Sequence, residues 1–151
     1  MKQNNIALFL DDIRDPKDGY LHGEKTKLVD ESGIPAGCWQ VVRTYDQFVR
    51  FVKKYGVPKT ISFDNDLDPS HYQVYMKAVQ SGYFEWLFIQ PKMGLHALDF
   101  LLKYCRTNHV QVPRIYIHTA NHMARQEMVN MIQRFSEGGS SLGHAGLFLP
   151  K

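Results

Sequence analysis

The apolar residues of this chain fall in short, near-continuous runs rather than in alternation with polar ones, and no other feature constrains the fold as strongly. Residues 6–10, 41–44, 60–63, 114–117 and 146–149 are runs of this kind, rich in β-branched or aromatic side chains. Strands of a parallel sheet, covered on both faces, read this way. Between them lie segments of helical period. Phe48, Phe51, Val52 and Tyr55 share one face in "YDQFVRFVKKYG", and Leu95, Leu98, Leu101 and Leu102 share another in "GLHALDFLLKYC". "NHMARQEMVNMIQRF" follows with Met128, Met131, Ile132 and Phe135. Five parallel strands alternating with such helices give an α/β sheet joined by right-handed crossovers.

One crossover lacks its helix. Residues 13–38 carry Pro16, Gly19, Gly23, Gly33, Pro35 and Gly37 without a useful apolar face. A long loop or hairpin is expected there, a candidate lid. A second insertion spans about 68–93. In it Asp68 as N-cap, Pro69 at the first helical position and Gly82 past the end frame a helix "SHYQVYMKAVQS". The following "YFEWLFIQP" reads as strand or packed loop, and "SEGGSSLGHAG" as a flexible connection into the last run. With 151 residues, 44% of them hydrophobic, the chain is expected to form a single domain over 1–151.

The N-terminal apolar run is too short for a signal peptide or membrane span, and the two cysteines, Cys38 and Cys105, lack metal-ligand spacing. A cytoplasmic protein with free thiols and no membrane partner is expected. The formal charge of +3 is slight, and Lys and Arg are scattered with no arginine-rich block. This speaks against sequence-specific DNA binding and is compatible with a phosphate-bearing ligand.

Two runs end in carboxylates. "NIALFLDDIRDP" places Asp11 and Asp12 directly after residues 6–10, and "KTISFDNDLDPS" places Asp64, Asp66 and Asp68 after residues 60–63. Ligands of open parallel sheets sit beyond the carboxyl ends of the strands, so one crevice is expected to collect Asp11, Asp12, Arg14, Arg43, Thr44, Asp64, Asp66, His118, Thr119, Asn121 and Lys151. Each Asp alone is an ordinary turn residue. Together, carboxylates converging without a cation repel one another, and an all-oxygen set favours Mg²⁺ or Mn²⁺ over zinc. Arg14 and Arg43 are candidate phosphate forks or plain partners of the surplus Asp. His118 is a candidate general acid or base, or a buried ring bonded to a carbonyl. Thr119 and Asn121 are equally caps for a helix beginning near His122. His22, His71, His96, His109 and His144 are read as surface or packing residues, and Trp39, Trp86 and the methionine stripe as core.

"LFLDD", "SFDNDL", "MGLHALDFL", "IYIHTAN" and "HAGLFLPK", in that order, resemble the corresponding parts of a response-regulator receiver domain. The resemblance implies Mg²⁺ on Asp11, Asp12 and Asp64, with Thr119 and Lys151 contacting an acyl phosphate. The chain departs from that pattern in the lost first helix, the added Asp66, and His118 before Thr119, and its last run meets the end of the chain where a receiver continues into a helix. "LDDIR", "WQVVRT", "FDNDL" and "HTAN" are closer to a divergent relative, the cyclic-phosphate-processing receiver-like domain. The expected fold is accordingly a flavodoxin-like, receiver-like three-layer domain. Its sheet is five-stranded with order 2-1-3-4-5, and a loop replaces the first helix.

The expected function is Mg²⁺-dependent phosphoesterase action on a cyclic phosphate of a nucleotide or RNA end, with a phosphorylated small molecule, nucleotide or RNA end as partner. The catalytic candidates are Asp64, Asp66, His118 and Thr119. Those for substrate are Arg14, Arg43, Asn121 and Lys151. The rivals are a non-catalytic signalling or phosphate-sensing module with Asp64 as phosphoacceptor, and a degenerate domain used only for protein contact.

Overall fold

A computed structural model describes residues 3–17 and 32–138. Within them β1 (Asn4–Leu10), β2 (Trp39–Val42), β3 (Pro58–Phe63) and β4 (Arg114–Ile117) form one parallel sheet of order β2-β1-β3-β4. These are four of the five expected strands, in the expected order. The run at 146–149, the glycine-rich stretch before it and Lys151 lie outside the described residues.

Three helices pack on one face of this sheet: α1 (Tyr45–Tyr55), α3 (Gly94–Asn108) and α4 (His122–Glu137). Leu8, Leu10, Val42, Ile61, Phe63, Ile115 and Ile117 meet Phe48, Val52, Leu95, Leu98, Leu101, Leu102, Met128, Met131, Ile132 and Phe135 in the main core. The opposite face buries Ala7, Phe9, Trp39 and Tyr116, with Ile34 against them ahead of a 3₁₀ turn at Ala36–Cys38. Near-continuous apolar runs thus have the physical origin expected of them, since alternate residues are buried on opposite faces. Trp86 packs partly buried on the main core and Trp39 lies fully within the smaller cluster. Tyr55 departs from the expected shared face. In the last turn of α1, where the chain leaves the core, it is 53% exposed and rests on the Phe51 ring at 5.0 Å.

The second insertion contains α2 (Ser70–Ser81). Pro69 already has helical dihedrals, the Asp68 carboxylate accepts the Ser70 N–H, and Gly82 ends the helix in the left-handed region at φ 75°. "YFEWLFIQP" forms no strand. It is a loop with a cis Gln90–Pro91 peptide, and two buried or half-buried imidazoles hold it. His71 Nδ1 accepts the Leu67 N–H (2.8 Å) while its Nε2 meets the Pro91 carbonyl (2.6 Å). His96 Nδ1 accepts the Met93 N–H (2.9 Å) while its Nε2 meets the Leu87 carbonyl (3.0 Å). Each ring accepts at one nitrogen and donates at the other, so each is a packing residue in its neutral form. His109 caps α3 in the left-handed region, and His22 and His144 lie outside the described residues.

The start of α3 sits hard against the loop after β3. Gly94 N–H donates to the Asn65 carbonyl at 2.8 Å, and a Cβ on Gly94 would run into the Asp64 carbonyl oxygen and stand 2.8 Å from Asn65 Cα. Backbone on both sides leaves nothing flexible to yield. Gly94→Ala is therefore expected to lose at least about 1–3 kcal/mol of stability, the usual cost of overpacking. A wild-type denaturation midpoint for Gly94→Ala would show that this contact is looser than described.

Candidate functional site

The paired register aligns Trp39, Ala7, Thr60 and Arg114 in one row and Val41, Phe9, Ser62 and Tyr116 in the next. Backbone bonds carry the ladder one residue further, from Asp11 N–H to Val42 O (3.1 Å), Asp64 N–H to Leu10 O (2.9 Å) and His118 N–H to Phe63 O (2.9 Å). Side chains alternate along a strand, so Arg43, Asp11, Asp64 and His118 form a further row on the face away from the helices. Four of the expected crevice residues share one row for this reason, and Lys151 lies outside the described residues.

Within it, one carboxylate oxygen each from Asp11, Asp12 and Asp64 lie within 4.8 Å of one another, a spacing that fits a shared cation. Asp11 and Asp64 are buried and Asp12 is half-buried. Asp11 Oδ1 accepts the N–H groups of Ile13 (3.0 Å) and Arg14 (2.8 Å), and its Oδ2 accepts Arg14 Nε–H (2.7 Å) and faces His118 Nε2 (3.0 Å). Arg14 Nη2 reaches Asp64 Oδ2 at 3.4 Å and the His118 carbonyl at 3.4 Å. Asp64 Oδ1 accepts the Asn65 N–H (2.8 Å), and the nearby Thr119 side chain favours the ionised Asp64 carboxylate.

Arg43 is half-buried and among the described residues pairs with no Asp side chain. Its Nη1 donates to the backbone carbonyls of Asp11 (3.2 Å) and Arg14 (2.8 Å), which clasps the acidic loop. Thr44 is the N-cap of α1, accepting the Gln47 N–H at 3.1 Å. The His118 ring is stacked on Phe9 at 4.2 Å and 9°, with Nδ1 2.7 Å from Ser62 Oγ and Nε2 on Asp11. Both nitrogens point at protein partners. Asn121 does two things at once: its Oδ1 caps α4 through the Ala124 N–H (2.9 Å), and its Nδ2 donates to Asp66 Oδ1 (3.2 Å). Asp66 Oδ1 also accepts Asn65 Nδ2–H at 3.0 Å.

Asn65 and Ser62 carry no role in the sequence reading. Asn65 is fully buried, and its Oδ1 accepts the Leu95 N–H at 3.0 Å. The available signal was an amide set between two carboxylates at a strand end, and for Ser62 a lone hydroxyl inside an apolar run. On the same edge a depression of about 480 Å³ is lined by Thr44, Arg50, Leu67, Asp68, Gln90 and Lys92 among others, and by none of the three clustered carboxylates.

Two buried carboxylates are driven in opposite directions. Burial alone would raise Asp11, yet the His118 bond and charge, with the Arg14 and Ile13 N–H groups, hold it down at about 2. Burial and the charge of Asp11 push Asp64 up to about 8, against the pull of Arg14, Thr119 and Asn65. Burial and the Asp11 charge raise Asp12 as well. Without a divalent cation, native Asp64 binds a proton that the unfolded chain, with a carboxyl pKa of about 3.9, releases. Its contribution to stability is complete below about pH 4 and lost as pH rises through the folded value. The melting temperature in chelator is expected to fall between about pH 5 and 8, and Asp64→Asn to remove this Asp64-dependent loss. Parallel profiles for both proteins would show that Asp64 is ionised throughout.

A family model described as a cyclic-phosphate processing receiver domain matches residues 6–134. Neither curated proteins nor solved structures gave a significant match. The matched span covers β1 through most of α4 and includes every described candidate site residue, from Asp11 to Asn121. With a parallel receiver-like sheet and an acidic cluster at its carboxyl edge, the chain belongs to the cyclic-phosphate processing receiver domain family.

Proposed function

We propose that the domain binds a divalent cation, Mg²⁺ or Mn²⁺, through Asp11, Asp12 and Asp64 and opens a cyclic phosphate of a nucleotide or RNA end. The observation that carries this reading is the three-carboxylate cluster with the Arg14 guanidinium set against it. The donor set is all oxygen, which suits a hard cation. Bound there, such a cation supplies positive charge opposite the phosphoryl oxygens.

The chain's own residues divide the remaining work. Arg14 offers a planar fork to phosphate oxygens, and Arg43 holds the loop that presents it. Asp66 is the candidate base for the attacking water. It is half-buried, and one oxygen is held by the Asn65 and Asn121 amides while the other has no partner among the described residues. His118 acts through Asp11, orienting that carboxylate from a ring wedged between Phe9 and Ser62. Thr119 steadies Asp64. The depression beside the row has the volume of a small-ligand site and brings Arg50 and Lys92, which suits the remainder of a nucleotide. No helix among the described residues is long and apolar enough to cross a membrane.

The second reading, a phosphoaccepting signalling module, draws on the Thr119 contact to Asp64. Asp66 separates the two. Asp66→Asn is expected to keep the Mn²⁺-dependent rise in melting temperature while turnover of nucleoside 2′,3′-cyclic phosphates falls by about 10²–10⁴, the usual contribution of a positioned general base. Asp64→Asn is expected to lose both. Acyl-phosphate labelling of Asp64 by a small phosphodonor, with no cyclic-phosphate turnover by the unaltered protein, would install the signalling reading instead.

A further inference from the structure

A carboxylate has about four lone-pair positions, and on Asp11 all four are taken by protein donors. Oδ1 accepts two backbone N–H groups, from Ile13 and Arg14, and Oδ2 accepts Arg14 Nε–H and lies on His118 Nε2. A cation ligated by Asp11 has to take the place of one of them. The four donors are not equally able to leave.

The two N–H groups belong to a loop whose backbone is pinned, because Arg43 Nη1 holds the Asp11 and Arg14 carbonyls. His118 is stacked on Phe9, anchored at Nδ1 by Ser62, and its side chain is only 9% exposed. The Arg14 side chain is the most exposed of these groups at 18%, and its contacts to Asp64 Oδ2 and the His118 carbonyl are long, at 3.4 Å each. Arg14 also lies on a second oxygen of the cluster, so one movement uncovers both Asp11 and Asp64. Its Cα stays in place, since its own N–H and carbonyl remain bonded to Asp11 and Arg43.

We propose that Arg14 is a tethered counter-ion that a divalent cation displaces from Asp11 and Asp64, and that the displaced guanidinium then becomes a ligand for phosphate. The cation is the first ligand and the phosphate the second. Each tightens the other, because the guanidinium cannot satisfy a carboxylate and a phosphate with the same N–H groups. This rests on reading the carboxylates as a cation site and adds an order of binding to it.

Calorimetric titration of Mn²⁺, with and without inorganic phosphate, tests the displacement on the full chain. In the unaltered protein phosphate is expected to tighten Mn²⁺ by about fivefold or more, within the usual range of site coupling. Arg14→Gln is expected to bind Mn²⁺ alone about fivefold tighter or more and to lose most of the phosphate effect. Removing a positive charge would by itself favour the cation, so Arg14→Lys is the second variant. It keeps the charge and loses the Nε bond to Asp11, and tighter Mn²⁺ binding in it too supports displacement from the oxygen. Unaltered Mn²⁺ affinity in Arg14→Lys beside tighter binding in Arg14→Gln means charge alone and overturns the proposal. Unaltered or weaker Mn²⁺ binding in Arg14→Gln overturns it as well. Absence of Mn²⁺ binding in all three proteins defeats the cation reading itself, a different result from equal binding in all three.

Discussion

Much of the site depends on one buried amide. Asn65 receives the Gly94 N–H on its carbonyl and the Leu95 N–H on its Oδ1, which satisfies two of the N–H groups that a helix leaves without intrahelical partners. The same residue gives its own N–H to Asp64 and its side-chain N–H to Asp66 and the Met93 sulfur. The first turn of α3 and both carboxylates of the loop are therefore aimed from a single point. The close seat of Gly94 lets the helix come near enough for this, and it brings the positive end of the helix dipole toward Asp64.

Around that point the electrostatics are set by how donors are shared out. Asp11 and Asp64 are comparably hidden from water, at 1% and 6% exposure, so desolvation opposes ionisation of both. Asp11 takes the larger share of donors and stays ionised, and its charge then falls on Asp64. A pair of carboxylates pushed apart in this way is a common arrangement where acid and base roles must be separated. Here it leaves the site short of positive charge, in the way a cation site is.

Four strands, the helices and the strand-end positions of the acidic residues were legible because each rests on a local pattern, while the order of those four strands followed from the receiver resemblance. Continuous apolar runs marked strands, helical spacing marked Phe48, Leu98 and Met128 as core, and strand ends marked Asp11, Asp64 and His118 as neighbours. The partners within the row were not legible. Arg43 grips carbonyls about thirty residues away, and His118 bonds Ser62 and Asp11 across the sheet, pairings that no spacing encodes. The fully buried His71 read as an ordinary surface or packing histidine for the same reason, since its bonds to Leu67 and Pro91 depend on how two loops meet. Tyr55 shows the limit of periodicity itself, because spacing places a residue on a face without saying where the core ends.

The row also governs which changes of length the domain can absorb. Arg43, Asp11, Asp64 and His118 share a face because each stands two residues beyond a strand residue that already points there, namely Val41, Phe9, Ser62 and Tyr116. Deleting or inserting one residue inside a strand reverses its phase and turns the functional side chain toward the helices. Length added after the row leaves that phase untouched, as in the segment between Asp66 and Gly94, which holds a whole extra helix. Chain length in this architecture is therefore free to drift at the carboxyl edge and is locked, residue by residue, within the strands.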